Sequence, residues 1–414
     1  MSLVTQTQYE SASQRALGVL ADLGELGMEL LAHLVGAFAI AALLIHVGTS
    51  LSAAWRCRRS AAPRTLPELR QRPAVTIIRP VCGLDAYEEA TLRSTFELDY
   101  AQLEILLCCA SAQDPVVPLV QRLIAEHPHV EARLLIGDDR VSENPKLNNV
   151  IKGWRAASHG WIVITDSNVL LPRDYIDRLF EAWKPGTGLV SAPPIGAQPE
   201  NLWAELECAF LNGYQARWQF TADSLGLGFA QGKTLFWRRI DLERAGGIHA
   251  LGAELAEDAA STKVVREQGL RVRLVDGAFP QPLGVRALPS VWSRQLRWAR
   301  LRRATFPLIY SLEILSGLCA PLACCVLAAW WLELPEVLTA LLFVAIWLGS
   351  EYGLTATAGW PLSWRSPLLW LLRDLMLPVL WLQSWLGNGL RWRGNDMSVA
   401  GTASNTLSDW LRRA

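Results

Sequence analysis

Charge is scarce in this 414-residue chain: Asp, Glu, Lys and Arg make up 19%, against 51% hydrophobic residues and 19 Trp. That balance excludes an ordinary soluble enzyme, and the apolar excess sits at the two ends. Net charge is missing altogether, because 39 basic residues meet 39 acidic ones. Without a basic footprint, nucleic acid is excluded as a partner. Although there are 8 Cys, no C-x-x-C pair occurs, and several lie in apolar runs. They read as small buried hydrophobes in a reducing compartment, not as a disulfide set or a zinc site. No internal repeat or low-complexity tract is present, which excludes a repeat architecture. The length allows two or three domains.

What is present is a long apolar run near the start. After a polar to mildly amphipathic segment, 1–26, residues 30–55 read LLAHLVGAFAIAALLIHVGTSLSAAW, without a charge until Arg56. This is long enough to cross a bilayer and too long for a signal-peptide core, so 27–55 is expected to be a retained anchor. Arg56, Arg58, Arg59 and Arg64 follow, which places the next part of the chain in the cytosol by the positive-inside rule. Pro63–Pro73 reads as a proline-bounded linker.

From residue 72 to 290 strands and helices alternate. Strands are expected at Val75–Arg79, Leu103–Cys109, Ala132–Ile136, Trp161–Thr165, Val190–Pro193, Phe236–Arg238 and Val272–Val275. Helices are expected at Tyr87–Phe96, Pro115–Glu126, Lys146–Ala157, Leu202–Phe220 and Asp258–Gln268. The alternation predicts a doubly wound α/β unit on a mostly parallel sheet. Residues 291–305, rich in Arg and Trp, suit an amphipathic helix at a membrane interface. Residues 306–390 hold three apolar segments, Ile314–Leu332, Val337–Leu354 and Leu368–Leu386. The third carries Arg373 and Asp374 at its centre, which is costly in lipid unless they face protein or water. In the tail, 391–414, Arg391 and Arg393 favour the cytosolic side, whereas three full spans would put them outside.

The chemistry-bearing residues cluster where strands end. Trp161–Thr165 is almost wholly apolar and β-branched, as a strand buried on both faces should be. It stops at Asp166-Ser167-Asn168, in the crevice where open α/β sheets bind ligands. Oxygen ligands there suit Mg²⁺ or Mn²⁺ held against phosphates; otherwise Asp166 caps the next turn. Gly83 and Asp85 follow the first strand and suit a nucleotide, or serve a turn and a helix cap. Asp114 lies at the same edge, as a ligand or a cap. Lys146 and Asn149 open the helix before Asp166, at a natural diphosphate seat or in a solvated capping segment. Asp258 could accept a proton from a hydroxyl, or, with Glu257, answer the acidic preference of a helix start. Arg294, Arg297 and Trp298 fit membrane snorkelling equally well.

Taken together and in order, GLD (83–85), QDP (113–115), NPKLNN (144–149), TDSN (165–168), AED (256–258) and RQLRW (294–298) resemble glycosyltransferase family 21. The flanking text FELDYAQLEILLC (96–108), ARLLIG (132–137) and ERAGGI (243–248) resembles it too. The best-known member type is ceramide glucosyltransferase, and the resemblance implies the GT-A fold. It further implies a hexosyltransferase that moves glucose or N-acetylglucosamine from a UDP-sugar to a lipid hydroxyl with inversion. Asp85 matches the aspartate near the nucleotide, and Lys146 and Asn149 match the donor-side element. Asp166 matches the aspartate of the metal–diphosphate, and Asp258 the proposed general base. Arg294, Arg297 and Trp298 match the (Q/R)xxRW signature at the donor and acceptor site.

Two departures stand out. The metal motif is D-S-N, so Asp166 would be its one carboxylate, with Asn168 or water completing the shell. Gln215 stands where animal ceramide glucosyltransferases carry a histidine. YQARW (214–218) and FAQGK (229–233) resemble a bacterial branch that glycosylates a hopanoid polyol, so ceramide and such a polyol both stay open as acceptor. That branch implies a bacterial inner membrane. A processive polysaccharide synthase and a non-catalytic nucleotide-sugar-binding membrane protein are the rival readings. The sugar, the acceptor and the oligomeric state are not legible.

Overall fold

The computed structural model describes residues 3–60, 73–392 and 395–399, with the side chains of 3–26, 391–392 and 395–396 left aside. The linker and most of the tail lie outside the described residues. One helix, α1 (Leu3–Ser60), leads into β1 (Val75–Val81), α2 (Glu88–Phe96), β2 (Leu103–Cys109), α3 (Val117–Glu126), β3 (Glu131–Ile136), α4 (Pro145–Ala156) and β4 (Trp161–Thr165). Next come α5 (Tyr175–Ala182), β5 (Thr187–Ser191), β6 (Pro194–Pro199), α6 (Leu202–Cys208) and, after a π-helical stretch at Ala209–Ala216, α7 (Arg217–Ser224). The α/β part closes with β7 (Thr234–Arg238), α8 (Arg239–Arg244), α9 (Glu257–Glu267), β8 (Arg271–Leu274) and β9 (Phe279–Gly284). Helices α10 (Leu288–Thr305), α11 (Pro307–Leu312), α12 (Cys319–Trp331), α13 (Glu336–Thr357) and α14 (Ser366–Trp385) follow, then the hairpin β10 (Gly389–Trp392) and β11 (Asn395–Ser398).

The main sheet runs β3-β2-β1-β4-β7-β5-β8. β1 pairs in parallel with β2 and β4, with Ile77 opposite Ile105 on one side and Val163 on the other. These strands are buried on both faces, which explains their unbroken apolar text. The sheet is nevertheless mixed, because β7 runs antiparallel to both β4 and β5. The sheet is thus mostly parallel, as expected, and β7 is its one antiparallel strand, a direction that periodicity cannot reveal. A second parallel pair, β6 with β9, was also unforeseen. Its text, PIGAQP and FPQPLG, is too rich in proline and glycine to read as strand.

Helix α4 sets the geometry of the candidate site. Asn144 caps it, accepting from the amides of Lys146 (2.9 Å) and Leu147 (3.1 Å), with Pro145 at its first position. At Gly153 it lies so close to the sheet that a Cβ would stand 2.7 Å from both Cys108 Sγ and Ile78 Cγ2. Helix α3 starts two residues later than the sequence suggests. Asp114 accepts from the Val116 amide (2.9 Å) but also from the Gly83 amide (2.9 and 3.1 Å), so it braces one strand-end loop against another.

Among the described residues, Gly27–Ser60 and Glu336–Thr357 are long and apolar enough to cross a membrane. Such helices mark an integral-membrane protein. The first C-terminal segment is not straight: Pro307–Leu315 and Cys319–Trp331 meet at a 47° bend and make a third span only if taken as one. Helix α14 resolves its buried charges against protein. Arg373 Nη1 and Nη2 meet the Glu351 carboxylate at 2.5 and 3.0 Å, and Nε donates to Asp374 at 3.0 Å. Arg373 Nη1 also donates to the Ala209 carbonyl (3.1 Å), and a Cβ on Gly213 would stand 2.0 Å from Glu351. The π-helical stretch is therefore fixed by tertiary contacts, which a one-dimensional helix pattern does not reveal. The cysteines are free; Cys108, Cys109 and Cys208 are buried as expected, but Cys82 is exposed.

Because Glu351 is fully buried, Arg373→Met leaves it uncompensated and should cost about 3–5 kcal/mol. Adding Glu351→Leu should recover part of that loss. Thermal unfolding of the detergent-solubilised variants checks both.

Candidate active site

Strand β4 ends at Thr165, and the backbone then exposes Asp166 beside the loop that enters β7. Lys146 Nζ, from the first turn of α4, reaches Asp166 Oδ1 at 2.6 Å and Glu257 Oε1 at 2.6 Å. It also donates to the Gly232 carbonyl at 2.5 Å. Asn144 holds the other oxygen of Glu257 through its side-chain amide (2.8 Å). Lys233 Nζ closes the second side of Asp166, 2.9 Å from Oδ2, and reaches Asn168 Oδ1 at the same 2.9 Å. Asp258 accepts from the Gly232 amide (2.8 Å) and the Ala259 amide (2.8 Å). The structure thus gathers Asp166, Asn168, Lys146 and Asp258 around Gly232 and Lys233.

The electrostatics separate the two aspartates. Burial disfavours the Asp166 carboxylate, but Lys146 and Lys233 outweigh it and hold the group well below the usual carboxylate range. Asp258 is raised to about 6, first by burial and then by the neighbouring Glu257 carboxylate. One carboxylate is thereby kept charged and the other tuned toward proton uptake near neutrality.

The remaining residues lie in a second chain of charges or serve the scaffold. Burial opposes ionisation of Asp85, yet Arg286, at 3.0 Å, lowers its pKa. Arg286 Nε stands 3.9 Å from the buried Glu207, which also pairs with Arg294. Asp85 and Arg294 are thus linked through two residues that no sequence motif marks. Trp298 packs on Ala204, Cys208, Leu211 and Leu283. Arg297 lies on α10 between these two positions of the signature. Asn149 faces the scaffold: its amide donates to the Cys108 carbonyl (2.6 Å) and its oxygen accepts from Lys152 (2.5 Å). Glu257 was visible in the sequence only as helix-start acidity, and Lys233 only as part of FAQGK. A glycine–lysine pair just ahead of a strand is the signal that could have found the latter.

Helix α10 joins this site to the apolar helices. Trp292 Nε1 donates to Gln383 of α14 (2.9 Å), and Val291 packs with Leu369, Met376 and Leu380. The helix is wedged between the α/β body and α14, rather than lying free on a surface. Beside α6 a cavity of about 260 Å³ opens between Glu205, Asn212, Ser363, Leu369 and Trp370.

The sequence model of glycosyl transferase family 21 matches residues 33–404. The chain belongs to this family. As a family-21 member it is an enzyme, a glycosyltransferase. It is 25% identical over 385 residues to ceramide glucosyltransferase 1 of Caenorhabditis elegans, covering 90% of this chain and 81% of that one. Ceramide glucosyltransferase 3 of the same organism is 27% identical over 340 residues, covering 79% and 73%. Among solved structures, a mannosyltransferase from Pyrobaculum calidifontis, in complex with GDP-Man and Mn²⁺, aligns with a TM-score of 0.48. It is 20% identical and covers 82% of this chain and 99% of that one.

Among the described residues no group of three or more His, Cys, Asp and Glu side chains is placed to hold a metal ion. The oxygens of Asp166 and Asn168 nonetheless converge on one point, since a single ammonium sits 2.9 Å from each.

Gly232 makes this family-21 site testable. An added Cβ would stand 2.8 Å from Glu257 Oε1 and 3.1 Å from Lys146 Nζ, both ends of flexible side chains. Gly232→Ala should therefore fold normally yet shift the Lys146–Glu257 pair and lower kcat by about tenfold to a hundredfold. Turnover measured beside the unfolding temperature checks this.

Proposed function

We propose that this glycosyltransferase carries a hexose, glucose or N-acetylglucosamine, from a UDP-sugar to a primary hydroxyl of a membrane lipid, inverting the anomeric centre. The observation that carries the reading is the pairing of a lysine-held Asp166 with a proton-accepting Asp258 around Gly232. Helix α10 bears Arg294, whose charge is felt at Lys233, and reaches the apolar helices. A soluble sugar nucleotide and a lipid can thereby meet at one place. The named relatives are ceramide glucosyltransferases, which supports a lipid acceptor. Gln215, and the resemblance of YQARW and FAQGK to the bacterial branch, keep a hopanoid polyol open beside ceramide as the acceptor. The same resemblance supports a bacterial inner membrane and the GT-A fold, with Asp85 on the nucleotide side. Arg56, Arg58 and Arg59 after the first apolar run support a cytosolic catalytic unit.

In the reaction, Asp258 takes the proton of the acceptor hydroxyl as its oxygen attacks the anomeric carbon. The bond from that carbon to the diphosphate breaks, and UDP leaves with the electron pair. A single displacement inverts the centre and needs no nucleophilic side chain. Lys146 and Lys233 stand where negative charge gathers on the leaving diphosphate. Asp166 and Asn168 fit a divalent cation as two hard oxygens aimed at one point, with substrate phosphates completing the shell. Such an ion would neutralise the departing diphosphate.

Membranes containing the protein, incubated with UDP-glucose or UDP-N-acetylglucosamine, should yield a lipid bearing one sugar, identified by mass spectrometry. A long polymer would establish a processive synthase instead, and no product from either donor would overturn the reading. Asp258→Asn should abolish turnover while UDP still binds; wild-type-like turnover would remove Asp258 as the base. Because the base must be unprotonated and its pKa is about 6, kcat/KM should fall as pH drops through about 6. A profile flat down to pH 5 would contradict this assignment.

A further inference from the structure

The two oxygens best placed for a divalent cation are the two that Lys233 occupies. Its Nζ lies 2.9 Å from Asp166 Oδ2 and 2.9 Å from Asn168 Oδ1. The lysine side chain is 13% exposed and Asp166 24%, so water screens neither strongly. A cation such as Mg²⁺ takes oxygen ligands at about 2.0–2.1 Å. Bound to these two atoms, it would compete with the ammonium for the same two oxygens. Ammonium and metal therefore exclude each other. An ion pair to Asp166 and a hydrogen bond to Asn168 hold Lys233 in this seat. A diphosphate arriving beside Asp166 changes this, because it offers the lysine a second anion. Lys146 has no such freedom: it bridges Asp166 and Glu257 and donates to the Gly232 carbonyl.

We propose that Lys233 is an exchangeable internal cation, which blocks the Asp166–Asn168 seat until a nucleoside diphosphate draws it away and lets a divalent metal in. Metal and nucleotide then bind with positive coupling, and by reciprocity each tightens the other. The D-S-N motif makes this work. A second carboxylate at position 168 would leave the seat with excess negative charge after pairing with Lys233, whereas Asn168 gives a neutral seat that admits the metal only with the diphosphate. The inference rests on the nucleotide-sugar reading of the site but not on the identity of the acceptor.

The test is Mn²⁺ binding to the full-length, detergent-solubilised protein, followed by electron paramagnetic resonance with and without UDP and corrected for Mn²⁺–UDP pairing in buffer. Wild type should bind Mn²⁺ about tenfold or more tightly with UDP than without it. Lys233→Gln should bind Mn²⁺ at least tenfold more tightly than wild type in the absence of UDP, and the effect of UDP should shrink to what direct phosphate coordination supplies. Lys233→Arg keeps the charge and should behave as wild type; Asp166→Asn should lose binding in both conditions. Equal Mn²⁺ affinity with and without UDP in wild type overturns the proposal, with no variant needed. So does equal nucleotide-free affinity in wild type and a folded Lys233→Gln, or undiminished binding in Asp166→Asn. Loss of coupling while the glycolipid product still forms would discard Lys233 as the gate and leave the transferase reading intact. Intact coupling without a glycolipid product would do the reverse.

Discussion

One buried ammonium ties the catalytic half of this molecule together. Lys146 joins the end of β4, through Asp166, to the start of α9, through Glu257, and to the loop before β7, through the Gly232 carbonyl. Its position follows from local rules. Asn144 and Pro145 start α4 at one place, and the close packing at Gly153 fixes the helix against β1 and β2. The lysine then has to point across the carboxyl ends of the strands. Without it, Glu257 would face Asp258 with no cation between them and Asp166 would keep only Lys233, a costly arrangement. With it, Asp166 stays ionised while the Asp258 carboxyl is raised toward neutrality.

The α/β unit was legible because buried strands and amphipathic helices carry distinct periods. β2 and β4 were placed to the residue, and the text of β4 revealed its burial. What the text withheld was three-dimensional in origin. The direction of β7 depends on how the chain returns from α7, not on its own residues. The pair β6–β9 forms from segments too rich in proline to look extended by propensity. The π-helical stretch exists because Arg373 and Glu351 engage it from other helices. Asp166, Asp258 and Lys146 lie together around Gly232, at the strand and helix ends where motif and position had put them. Glu207 and Arg286 were missed because a lone glutamate on a helix and a lone arginine after a strand carry no pattern. Lys233 lay in text noted only for its resemblance, and Asn149 turned toward the strand carbonyls.

The membrane half follows the same logic of compensated charge. An arginine and an aspartate in the middle of α14 look forbidding in a hydropathy reading. In the fold they meet Glu351 of α13 and the π-helical carbonyl of Ala209. The contact locks α14 to the α/β body, and α10 is held between them. The enzyme thus has no need of a loose tether between its soluble and apolar parts. In the proposed reaction, a lipid at the helices and a nucleotide at the strand ends would be presented to each other by rigid elements.

The central claim is that the lysine-held Asp166 is where the diphosphate sits. Cryo-electron microscopy of the full-length protein bound to UDP and Mn²⁺ tests it most directly. The account predicts diphosphate density against Lys146 and Lys233, with Mn²⁺ between the phosphates and Asp166 and Asp258 left open to the acceptor. Diphosphate density away from β4, with both lysines still paired to Asp166, would contradict it.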